Sequence, residues 1–146
     1  MQLQNQNIDL LQEVYHSASM GERAAKLLLE KSMGGALNEK LSEFIEQYCT
    51  VKQDVAVELS AYGQTPQPAG AVENVAQWMG VQLGTLTDKS PSQMARMLIE
   101  GSTRSMVDSI VDIKHHPGAD ARARQLAGRL VRIETDSIDA MKTYLS

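Results

Sequence analysis

Aromatic residues make up only 4% of this 146-residue chain, and it has a single cysteine. With so few rings, a core must be built from Leu, Ile, Val, Ala and the eight Met. Met is unbranched, fills irregular gaps and favours helices. One cysteine excludes a disulfide within the chain and any CxxC metal or redox motif. It suits a reducing cytoplasm, and Cys49, set between Tyr48 and Val51 in a helical stretch, reads as a buried structural thiol rather than a nucleophile. β-Branched runs of strand length are missing. So is any apolar run near the ~18 residues of a membrane span. The opening MQLQNQNIDL has neither the basic start nor the apolar core of a signal peptide. Lys and Arg form no stripe in a chain of net charge −4, which argues against a nucleic-acid partner. The segment holding Arg122, Arg124, Arg129 and Arg132 is followed by Glu134, Asp136 and Asp139, and reads as a solvated helix face. No Gly-rich phosphate loop, Ser/His/Asp ordering or nucleotide fingerprint is present.

What the chain does have is helical periodicity. Leu11, Tyr15, Ala18, Glu22, Ala25 and Leu29 recur at three- and four-residue steps. They predict a first helix starting near an N-cap at Asn7 or Asp9 and ending at Gly34-Gly35. A second helix is expected from Ala36 to Tyr62, closed by Gly63, with a stripe through Leu41, Phe44, Tyr48, Val55 and Leu59. GQTPQPAG (63–70) then breaks the pattern and reads as a crossover loop. Val72, Val75, Met79, Leu83 and Leu86 mark a short helix up to Thr87, its apolar face larger than four bundle helices need. Ser90-Pro91 signals a new N-cap and first turn. The third long helix, to His115, is expected to face inward through Met94, Leu98, Ile99, Ser102, Met106, Ile110 and Ile113. His115-His116 suit its C-terminal end, Pro117-Gly118 the turn and Asp120 the cap of a last helix, striped by Leu126, Leu130, Ile133, Ser137, Met141 and Tyr144. Rods of roughly 25 residues span about 35–40 Å and pack as two antiparallel hairpins. The expectation is a single all-α domain over residues 1–146, an up-down four-helix bundle with an extra short helix before the third long one.

Three carboxylates fall on or beside core-facing rows. Glu22 lies between Ala18 and Ala25, Glu134 within the row of Ala127, Val131, Ile138 and Met141, and Glu58 between Val55 and Tyr62. Ionised carboxylates are rarely buried unless they are paired or bound to metal. Two readings follow: structural pairing with Lys or Arg, or a metal site of Glu22, Glu58 and Glu134. Di-iron bundles add a histidine three residues after two of their glutamates. Here those places hold Ala61 and Ser137, and the one Glu-x-x-His, Glu13 to His16, sits on a solvent-facing side. His115 and His116 point about 100° apart on a helix and read as capping residues rather than a chelate.

The run TVKQDVAVELSAYGQTPQ (50–67), the Gly21-Glu22 pair, MLIEGSTRSMVDSIVDIKHH (97–116) and the closing IDAMKTYL resemble a family of bacterial ferritin-like four-helix bundles of unknown function. The resemblance implies a ferritin-like, self-associating bundle in a bacterial cytoplasm. That family's third helix often carries a Gly-Glu pair and a downstream tyrosine. At the corresponding places this chain has Ser105-Met106 and Ile113, and Met106 in place of a carboxylate would remove a hard oxygen ligand.

The function expected from these residues is a non-catalytic ferritin-like bundle, a scaffold or stress-associated homo-oligomer with a dimer favoured. It would need no cofactor and have neither nucleic acid nor membrane as partner. The alternatives are a protein binding iron or another divalent metal through Glu22, Glu58 and Glu134, and a binder of an apolar peptide or small ligand.

Overall fold

A computed structural model describes residues 2–32, 34–67 and 90–146. Among these, four helices are present and no strand: α1 (Gln2–Lys31), α2 (Ala36–Ala61), α3 (Pro91–His115) and α4 (Ala121–Lys142). Local chemistry sets most of their ends. Gly34 and Gly35 take φ of 96° and 80° before α2, a region that side chains disfavour. Gly63, at φ 71°, closes α2. Its N–H donates to Ser60 and that of Gln64 to Leu59, which satisfies carbonyls left over by the last turn. Ser90 caps α3 by accepting from the Gln93 N–H, with Pro91 in the first turn. Asp120 caps α4 by accepting from the Ala123 N–H at 2.9 Å.

The start of α1 departs from expectation. It begins at Gln2 rather than at a cap on Asn7 or Asp9. Asn7 is buried mid-helix and its amide serves the other helices instead. Its Nδ2 donates to Tyr62 Oη at 2.9 Å and to Asp120 Oδ2 at 3.1 Å, and its Oδ1 accepts from the Asp120 N–H at 2.5 Å. Ile110 is a second correction: it is 39% exposed, and Ser109, one residue earlier, takes the inward place. The expected short helix from Val72 to Thr87, with Trp78, lies outside the described residues.

The Asn7 contacts gather the start of α1, the end of α2 and the start of α4 at one end of the bundle. Gln6 Oε1 accepts from the Gly118 N–H there at 2.6 Å. At the opposite end, the Ser146 N–H donates to Ser92 Oγ at 3.1 Å. So α1 and α2 form one antiparallel hairpin, and α3 and α4 another. α1 packs on all three other helices, α4 also on α2, while α2 and α3 stand at opposite corners and run in the same direction. After α2 the chain turns back along α1. There Gln12 holds the Thr65 carbonyl and the Gln67 N–H, both at 2.9 Å.

The core runs from Leu10, Leu11 and Leu28 through Leu41, Val55 and Leu59 to Leu126, Leu130 and Met141. On α1, Ala18, Gly21 and Ala25 form a row of small side chains. A Cβ built on Gly21 would lie 2.6 Å from Tyr48 Cε1 and 2.8 Å from Oη. The missing side chain is therefore what lets the Tyr48 ring enter the centre. Replacing Gly21 by Ala removes an unfavourable helical glycine, worth about 1 kcal/mol, but forces a buried ring aside, at about 1–3 kcal/mol. Gly21→Ala is expected to lower stability by up to about 2 kcal/mol in urea unfolding; a raised midpoint would show that the ring moves freely.

Candidate functional site

Two polar centres stand out, one where α1 packs on α2 and one where α3 packs on α4. The first is built on Glu22, which α1 points at α2. Lys26, one turn on, reaches Glu22 Oε1 at 2.8 Å, and Lys52 from α2 reaches Oε2 at 3.1 Å. The Lys52 ammonium also lies 5.2 Å from the centre of the Tyr15 ring, a cation–π distance. Burial alone would raise the Glu22 carboxyl. The hydrogen bonds from Lys26 and Lys52, with Cys49 beside them, outweigh that and hold it below its ordinary value. The Cys49 thiol is half-buried rather than buried. Burial, and then the neighbouring carboxylate, push it up, which keeps it a thiol rather than an activated thiolate.

The second centre lies inside. Glu134, on α4, is 0% exposed. The groups around it are oxygens. Ser109 Oγ from α3 donates to Glu134 Oε1 at 3.4 Å. Ser105 Oγ is close enough to favour the ionised form but makes no hydrogen bond of ordinary geometry. Ser102 and Ser137 face each other across the same helix pair at 3.3 Å. From α2, the Tyr48 hydroxyl reaches toward Ser102 on the far corner and feels the Glu134 charge. Among the described residues, Glu134 Oε2 has no hydrogen-bond partner. Among the same residues, no Lys or Arg acts on the Glu134 carboxyl. Burial pushes its carboxyl up to about 8; the Ser105 and Ser109 hydroxyls oppose this and Asp108 adds to it. Burial also raises the Tyr48 phenol, helped by the Glu134 charge. At neutral pH the centre therefore holds a neutral acid among neutral hydroxyls.

The three carboxylates singled out in the sequence are thus engaged separately. Glu22 pairs with two lysines, Glu58 is half-exposed and accepts from Arg122 Nε at 3.2 Å, and Glu134 sits in the interior. Among the described residues, no three His, Cys, Asp or Glu are grouped so as to hold a metal ion. Glu13 is exposed, as expected, and His16 contacts the Gln67 carbonyl at 3.1 Å. His116 Nδ1–H donates to the Asp112 carbonyl at 2.7 Å, which closes α3. Arg122 and Arg129 spend their charge on Glu58 and Asp54 of α2, as a solvated helix face does. An open groove of about 470 Å³ between α2 and α4, lined by Glu43, Glu46, Arg129, Arg132 and Asp136 among others, mixes both signs of charge. Among the described residues, no helix is long and apolar enough to cross a membrane.

Ser105 and Ser109 were not anticipated as neighbours of Glu134. The signal was present: Ser102, Ser105 and Ser109 sit at i, i+3 and i+7 on one helix, so they form a single hydroxyl row. The lysine partners of Glu22 were expected only as a residue type. Compared with known protein families, curated proteins and solved structures, the chain has no match.

The raised Glu134 carboxyl makes stability depend on pH. Its ordinary value is 4.5, and in the bundle it is about 8. Below 4.5 the folded and unfolded chains both hold the proton, and burial costs no charge. Between the two values the unfolded chain releases it while the bundle keeps it, so stability falls as pH rises. Above about 8 the loss is complete, on the order of 5 kcal/mol at about 1.4 kcal/mol per pH unit. Glu134→Gln is expected to remove most of this slope and to be more stable than the parent at about pH 9 by about 2–4 kcal/mol. Urea unfolding of both proteins from acid to alkaline pH measures it; parallel curves would place the titrating group elsewhere.

Proposed function

We propose that this chain is a non-catalytic helical bundle on the ferritin-like plan that works as a self-associating scaffold. The single observation that carries this reading is the separate engagement of its core-facing carboxylates. Glu22 is neutralised by Lys26 and Lys52, Glu58 by Arg122, and Glu134 by its own proton. Acid-base or metal-assisted chemistry needs groups that converge on one reacting atom, and these do not. Two features support the ferritin-like plan. One is a pair of antiparallel hairpins; the other is that α2 and α3 run in the same direction, so α2 ends and α3 begins at opposite ends of the bundle, as do helices joined by a long crossover in ferritin-like folds. Self-association is supported by Val107, Ile110 and Val111 on the outer face of α3, exposed at 51%, 39% and 40%, since clustered apolar exposure marks interaction surfaces. A reducing cytoplasmic compartment suits the unpaired Cys49.

A second reading, a metal-binding protein using Glu134 with Glu22 and Glu58, is favoured by one observation: the Oε2 of Glu134 is buried without a partner. One preparation separates the two. Untagged protein, loaded with iron, zinc or manganese and then desalted, is analysed for metal and for mass in solution. The scaffold reading expects less than about one tenth of an ion per chain together with a dimer in light scattering. About one or more tightly held ions per chain, lost in Glu22→Ala, would establish the metal reading instead. A strict monomer at high concentration would remove the scaffold part.

A further inference from the structure

α3 packs on α1 and α4, and its remaining face is turned to solvent. Val107, Ile110 and Val111 are exposed there at 51%, 39% and 40%. They stand at i, i+3 and i+4, so they form one patch. Glu100 and Lys114, seven residues before and after Val107, are also exposed. Seven residues make close to two turns, so both lie on the same line of the helix as Val107. The apolar patch is thus bracketed by an acid at one end and a base at the other. Among the described residues, none of Glu100, Arg104 and Lys114 has an ion-pair partner.

That order of charge says what fits the face. A second copy of α3, laid antiparallel about a two-fold axis through Val107, sets valine against valine. About 10 Å to either side along the helix, Glu100 of one copy stands level with Lys114 of the other. The symmetry makes this pair twice. Arg104 comes beside Val111 of the other copy, where its aliphatic stem covers the valine and its guanidinium stays in water. A parallel pairing instead sets Glu100 against Glu100, Arg104 against Arg104 and Lys114 against Lys114, and like charges so placed repel. The charges therefore select the antiparallel arrangement, and being exposed they give direction more than affinity. One helix face per copy is a small contact, under the roughly 1,200 Å² of stable complexes. The dimer is correspondingly weak, dissociating in the range of about 1–100 μM.

We propose that the outer face of α3 is the self-association surface of this protein. Its partner is a second copy bound antiparallel through Val107, with Glu100 and Lys114 paired across the two-fold axis. The interface rests on the scaffold reading and adds where the two copies meet and in which orientation.

Sedimentation equilibrium of the full chain at neutral pH, over about 1–500 μM, tests the interface. The parent is expected to dimerise, and Val107→Asp to raise Kd at least about tenfold. Glu100→Lys alone or Lys114→Glu alone sets like charges at both ends and is expected to raise Kd about 5- to 20-fold. Both changes together restore opposite charges and should return Kd to within about twofold of the parent. The altered side chains are exposed, and unchanged helical circular dichroism verifies that each variant keeps the fold. A parent that stays monomeric gives this face to a different partner and overturns both the interface and the scaffold reading. A dimer whose Kd is unmoved by Val107→Asp, or single reversals that the double change does not rescue, overturns the interface alone.

Discussion

A carboxylate in the interior of a helical bundle, with no cationic side chain beside it among the described residues, is the constraint around which this molecule is arranged. Transferring an ionised carboxylate out of water costs several kcal/mol even after relaxation. The bundle meets that cost by keeping Glu134 protonated and facing it with hydroxyls. The phenol of Tyr48 closes the seam from the opposite corner, and its ring fits only because Gly21 has no side chain. One small residue on α1 thus makes possible a polar contact that spans α2 and α3, the two helices that otherwise stand apart.

The bundle buries its carboxylates in two ways. Glu22 follows Gly21 and Cys49 follows Tyr48, so the neighbouring positions face outward from the contact between Gly21 and Tyr48. There the charge is kept and matched by Lys26 and Lys52. At Glu134, buried where α3 meets α4, the charge is given up instead. The paired ion, Glu22, keeps some exposure to solvent, whereas the neutral acid, Glu134, has none. The two groups also separate in pH: one carboxyl lies below its ordinary value and the other is raised to about 8.

Much of the fold was legible in the sequence because its signals are local. Gly34-Gly35, Gly63, Ser90-Pro91 and Asp120 end or begin helices through their own backbone preferences and side-chain oxygens. They mark α2, α3 and α4 to within a residue or so. The start of α1 was misread because Asn7 has the chemistry of a cap but spends it on Tyr62 and Asp120, residues far away in sequence. The inward place on α3 was assigned to Ile110 instead of Ser109 because hydrophobicity is a poor guide where the facing residue is polar. The burial of Glu134 was legible from its row of apolar neighbours. What surrounds it was not, since that depends on which face of α3 meets α4.

The central claim is that Glu134 is a neutral acid inside a bundle at neutral pH. Carbon-13 NMR of the glutamate side-chain carboxyls, assigned by comparison with Glu134→Gln, observes that proton directly. The account predicts one carboxyl that is protonated at pH 7 and titrates near 8. A Glu134 resonance that titrates near the ordinary value of 4.5 would contradict it and would mean that water or a fixed cation reaches the interior.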